Sequence, residues 1–141
     1  LEPVVEGWGS MFANSTNTPH VVNDFEAAGI EEKSDIYRQV TTNCFFGCEA
    51  DDRLAGIAFD TNRLPGDRPM RPIFSSDIGH WDVAHMHEVL PEAYEHLEHG
   101  WMDAAGFRAF MCDNALRMFS DMNPKFFAGT VIESYADARL A

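Results

Sequence analysis

Basic residues are scarce in this chain. Ten Lys and Arg stand against 23 Asp and Glu over 141 residues, a formal net charge of −13 at pH 7. Such a surface repels phosphate backbones and anionic headgroups, which speaks against nucleic acid and membrane surfaces as partners. Long apolar runs are missing too: none approaches the roughly 20 residues of a membrane span. Cysteine is sparse and odd in number, with Cys44, Cys48 and Cys112 only. That favours free thiols, packed as small apolar residues, in a reducing, cytoplasmic setting. Cys44 and Cys48 are four apart, and no second pair completes a zinc knuckle. There is no P-loop, no dinucleotide fingerprint, no Gly-x-Ser-x-Gly elbow and no His-Glu-x-x-His pair. Length sets a further limit, because a complete (β/α)₈ barrel takes roughly 250 residues. The expectation is one unit spanning 1–141, with 124–141 as a tail.

What is present suits a folded domain. Apolar residues make up 45%, and 11 Phe, three Trp and three Tyr can furnish a core. The first residue is Leu1 rather than Met, and no basic-then-apolar leader follows. The expectation is a processed chain or a piece of a longer one.

Residues 1–18 carry Gly7, Gly9 and Asn/Ser/Thr punctuation, so the opening reads as an irregular loop. Thr18 and Pro19 form a helix-start signature, Val21, Val22, Phe25 and Ala28 follow at helical spacing, and Gly29 ends the run. Ser34 or Asp35 caps a short helix through Gln39. Residues 41–47 are β-prone around Cys44-Phe45-Phe46, and Glu49, Asp51 and Asp52 follow as caps for a helix over 53–59. After a proline-rich loop over 60–72, residues 73–76 form a second strand. The chain is then mostly helical from Val83 to Ser120. Met86, Val89, Leu90, Ala93 and Leu97 make one apolar stripe, Pro91 implies a kink or a start near Glu88, and Gly100 is the stop. Asp103 caps the next segment and Asn114 opens the last helix. Strand, helix, strand, helix is α/β order with parallel pairing, but two strands make a poor sheet.

The stretch 73–82 draws most interest chemically. An apolar strand delivers Asp77 at its carboxyl end, Gly79 permits a sharp turn, and His80, Trp81 and Asp82 follow. Carboxyl ends of strands are where α/β folds place ligands and catalysis. A carboxylate there can bind a divalent cation and accept a proton from bound water. Equally, Asp77 can cap a following helix while His80 packs on Trp81. His85, His87, His96 and His99, with Glu92 and Glu95, read as a solvated helix face.

The run Ile73-Phe74-Ser75-Ser76-Asp77-Ile78-Gly79-His80-Trp81-Asp82 resembles the last barrel strand of the amidohydrolase-related family. That family groups metal-dependent hydrolases with nonoxidative decarboxylases, the aminocarboxymuconate-semialdehyde decarboxylases among them. Its usual form there is Ser-Asp-x-Pro-His-Trp-Asp, with Gly79 here in place of the proline. Residues 44–52 resemble the preceding strand and loop; residues 88–93, 113–119 and 123–130 resemble the helices and tail that follow. The resemblance implies the C-terminal portion of a (β/α)₈ TIM-barrel-like fold, mostly helical with two short parallel strands. It implies that Asp77 is a catalytic metal ligand and that His80 and Trp81 line the substrate pocket. The metal it implies is zinc, with manganese as the alternative. The implied activity is hydrolysis or decarboxylation of a small carboxylated or ring substrate. It requires the rest of the barrel or a partner chain, so the isolated chain is expected to be inactive and to oligomerise. The alternative is a non-catalytic, truncated or interaction module that kept the helical layer.

Overall fold

The computed structural model describes residues 25–140; the expectations for the opening loop and the helix start at Thr18–Pro19 lie outside them. The chain is mostly helical, with two short parallel strands, an arrangement compatible with the α/β class. Gly29, at φ 66°, closes a turn in which the Ile30 N–H donates to the Phe25 carbonyl at 2.8 Å.

Helix α1 spans Lys33–Asn43. Asp35 works from inside its first turn, its carboxylate accepting from the Glu31 and Glu32 N–H groups, each at 2.9 Å. The helix runs four residues past Gln39 and absorbs Thr41–Asn43, whose residue types favour a strand. Thr41 is accommodated because its hydroxyl donates back to the Tyr37 carbonyl at 3.0 Å, the usual helical outlet for a β-branched alcohol.

Strand β1 is therefore only Phe46–Cys48, and β2 is Pro72–Phe74. They pair in parallel, Phe46 with Pro72, Gly47 with Ile73 and Cys48 with Phe74. Asp52 caps the 3₁₀ helix Arg53–Phe59 between them, accepting from the Leu54 N–H at 3.0 Å. This register turns Gly47 and Pro72 outward. Pro72 has no N–H to offer, and its carbonyl accepts the Asn114 side-chain amide at 2.8 Å. The outer edge of β2 is thus blunted, whereas Gly47 is exposed on the outer edge of β1.

Helix α2 spans Val89–Glu98, later than an unbroken helix from Val83. Pro91 falls in its first turn, where the missing N–H costs nothing. Its inward face is Val89, Ala93 and His96, while Met86 and Leu90 of the expected stripe are 64% and 55% exposed. Gly100, at φ 68°, provides the stop. Asp103 then caps α3, Ala104–Arg108, by accepting from the Gly106 N–H at 2.7 Å. A π-helical turn, Ala109–Asp113, joins it directly to α4, Asn114–Met122. Asn114 therefore opens no new helix: it is buried in the middle of a continuous one, serving Pro72.

The expected tail carries helix α5, Glu133–Leu140. Ala136 is buried, and the Arg139 guanidinium pairs with Asp113, its Nε 3.0 Å from Oδ1. The core gathers Ala50, Ala55, Val89, Ala93, Met102, Phe107 and Phe110 under the sheet. Phe74 meets Phe110 edge to face at 5.9 Å, which ties β2 to the helical layer. Cys44, Cys48 and Cys112 are free thiols. Among the described residues, no helix is long and apolar enough to cross a membrane.

Candidate functional site

Both strands end on the same side of the molecule. β1 runs out into Glu49, Ala50 and Asp51, and β2 into Ser75, Ser76 and Asp77; the Ser75 N–H donates to the Cys48 carbonyl at 2.8 Å and prolongs the pairing. A turn rather than a helix follows β2. Asp77 lies in the left-handed region at φ 48°, Gly79 at φ 102°, and the His80 N–H donates to the Asp77 carbonyl at 3.1 Å. Only small polar residues and glycine enter that region readily, so Asp and Gly at these positions make the reversal possible. No helix starts within this turn, the next being α2. Asp77 therefore caps no helix.

The turn folds three side chains onto one another. His80 Nδ1 is 2.5 Å from Asp82 Oδ1 and 3.3 Å from Asp77 Oδ2. One ligand atom from each of the three lies within 4.8 Å of the others. The hydrogen bond that Asp82 accepts from His80, then the charge of Asp82 and those of Asp77 and Glu49, raises the His80 pKa above the usual histidine value. The same hydrogen bond holds the Asp82 carboxyl below the usual carboxylate range. Trp81 is 85% exposed, with its ring 6.0 Å from that of His80.

Beside the triad is a cleft of about 200 Å³. Glu49 and Asp51 line it from β1, Asp77 and Asp82 from the turn, and His85, Glu88 and Glu92 from the approach to α2 and its first turn. His80 and Trp81 are not among the described residues that line it. The structure thus brings Asp77 and His80 together, leaves Trp81 at the surface, and adds Asp82, the last residue of the same motif. Glu49 and Asp51 join by strand pairing; their place at the end of the first strand is a weaker echo of the Asp77 pattern, one that reads by default as a loop or a cap.

The histidine-rich face resolves differently from its expectation. His96 is fully buried: its Nε2 lies 3.0 Å from the Ala50 carbonyl oxygen, and its ring packs edge-on against Trp101 and Phe110. His99 stacks on Trp101 at 4.7 Å. His85 and His87 precede α2 and sit on no helix, with their rings 5.7 Å apart.

One imidazole nitrogen and two carboxylates are a borderline donor set, which suits zinc or manganese over a soft metal. Three such groups at an open surface could hold a cation and would leave room for water in its remaining positions. No protein-family model matches the chain, and no curated protein or solved structure matches it either.

Proposed function

We propose that the chain is the C-terminal portion of a (β/α)₈ barrel of the amidohydrolase-related kind. Its activity would be that of a zinc- or manganese-dependent hydrolase or nonoxidative decarboxylase acting on a small carboxylated or ring compound. The observation that carries this reading is the place of Asp77. It sits just beyond the carboxyl end of a parallel strand, lines an acidic cleft, and has a histidine and a second carboxylate within ligand reach. Asp77, His80 and Asp82 would hold the cation. That cation would supply a polarised substrate oxygen or an activated water. The Asp77 carboxylate would take the water's proton. Remaining ligands would come from strands supplied by the rest of the protein or by a partner chain, and with them the free edge at Gly47 would be covered.

One observation favours a second reading, a non-catalytic module that kept the helical layer. A closing barrel needs its last strand to pair on both edges. Here the outer edge of β2 lacks the Pro72 donor and has the Pro72 carbonyl taken by Asn114. The test is metal content by mass spectrometry, with a screen of small carboxylated substrates, on the complete protein and on Asp77→Asn. The barrel reading expects bound metal and turnover that both drop sharply in the variant. Undiminished metal and turnover in Asp77→Asn would overturn it, as would a complete wild-type protein that takes up neither zinc nor manganese.

A further inference from the structure

We propose that the chain binds a phosphate-type oxyanion in a second cavity, at the opposite end of the sheet from the acidic cleft. This cavity is an open groove of about 550 Å³ beside Met70 and Arg71, where the chain enters β2. That volume is within the range of small-molecule sites.

Its charge sets it apart. Arg68, Arg71 and Arg117 all line it, three of only ten basic residues in a chain of net charge −13. Two come from the loop before β2 and one from α4, so it is the fold that gathers them. The one acidic residue among the described lining residues, Asp103, is engaged as the cap of α3, its Oδ1 2.7 Å from the Gly106 nitrogen. Among the described residues, the sole carboxylate paired with any of the three guanidiniums is Asp121, 3.7 Å from Arg71 and 60% exposed. Arg68 and Arg117 have no ion pair in that set. Like charges lining one groove repel, and an acidic chain has carboxylates to spare for neutralising them. Two exposed guanidiniums left unneutralised along one open groove are an arrangement an anion completes.

The geometry favours phosphate over a simple carboxylate. The Arg71 guanidinium is held 5.0 Å over the Phe45 ring, so part of its freedom is already lost before any ligand arrives. Guanidinium forks match phosphate oxygens in bidentate pairs. A phosphate monoester carries nearly two charges at neutral pH, enough to engage more than one arginine, whereas a carboxylate carries one. The exposed Thr42 hydroxyl at the same cavity adds a neutral donor. This inference does not depend on the metal reading, since the two cavities share no described lining residue.

Calorimetric and NMR titrations of the full chain at low ionic strength test it, with inorganic phosphate, ribose 5-phosphate and succinate as probes. The expected result is saturable one-site binding of both phosphates, with amide shifts at Thr42, Arg71 and Arg117. Arg68→Gln and Arg117→Gln should each weaken it about tenfold or more, the loss of one charge-assisted contact. Arg38→Gln, whose guanidinium pairs with Asp35 at 2.6 Å on α1 and does not line the cavity, should leave it unchanged. Tighter binding of the ester identifies an organic phosphate as the natural ligand, and equal binding identifies free phosphate. Absence of saturable phosphate binding overturns the proposal. So does succinate binding as tightly as phosphate, or equal weakening by Arg38→Gln.

Discussion

His96 Nε2 lies 3.0 Å from the carbonyl oxygen of Ala50, a residue 46 positions earlier in the chain. That contact joins the inward face of α2 to the segment leaving β1, directly behind the acidic cleft. The ring also fills space between Trp101 and Phe110. His96→Ala should therefore destabilise the fold by about 2–4 kcal/mol, from a cavity plus an unpaired buried carbonyl. Urea unfolding measures this, and a change below about 0.5 kcal/mol would contradict the packing described.

Asp77→Asn separates chemistry from conformation. Asn enters the left-handed region at least as easily as Asp, so stability should shift by less than about 1 kcal/mol. Asp77→Ala, with no local hydrogen bond to offset φ 48°, should lose about 1–2 kcal/mol. On the proposed metal reading, zinc binding followed by calorimetry should weaken in both. A variant ranking in which Asn destabilises more than Ala would show that the backbone conformation is not what Asp supplies there.

Close backbone approach makes Gly56 irreplaceable. A Cβ at this position would run into the carbonyl group of Trp101. Both sides of the contact are main chain, so neither can swing aside. Gly56→Ala should cost about 1–3 kcal/mol, despite alanine's higher helix propensity. A thermal midpoint equal to or above that of the wild type would refute this.

The His80–Asp82 pair gives the turn a defined pH window. His80 titrates above its usual value, so its stabilisation is complete below the ordinary histidine pKa and fades as pH rises through the raised one. Asp82 titrates below its usual value, so its share is complete above the ordinary carboxylate pKa and fades as pH falls through the lowered one. Nitrogen-15 NMR titration of His80 should show the elevation in wild type and its loss in Asp82→Asn. An unchanged His80 titration in that variant would rule out Asp82 as the main cause.

Thiol reactivity should follow exposure. Cys44 is exposed, whereas burial first and the Asp52 charge second raise the Cys48 pKa. Iodoacetamide at mildly alkaline pH should therefore modify Cys44 well before Cys48. Peptide mass spectrometry gives the order, and faster labelling of Cys48, or a stoichiometric Cys44–Cys48 bridge, would run against it.

Sequence alone determined those features whose causes are local. Asp52 and Asp103 cap the segments that follow them, each carboxylate reaching an N–H two or three residues ahead. Gly100 stops α2, Pro91 pushes its start to the neighbourhood of Glu88, and the two apolar runs pair in parallel. Asp77 stands at a strand end because the run 73–76 and the turn at Gly79 are written consecutively. Tertiary structure decided everything that depends on a distant partner. His96 has the spacing of a surface histidine, and only the arrival of Ala50 from 46 residues away buries it. Asn114 resembles a cap until a π-helical turn and the Pro72 carbonyl, 42 residues distant, draw it inside. Thr41–Asn43 joined α1 although the residue types favour strand, and the sheet register is only three residue pairs long. Helix α5 has little amphipathic pattern to betray it and is held by Asp113 and Arg139. Both cavities belong to this second class: carboxylates from two strand ends meet in one, and arginines from a loop and a helix meet in the other. Charge composition sets only the mean sign of the surface, and the placing of the minority sign is a property of the fold.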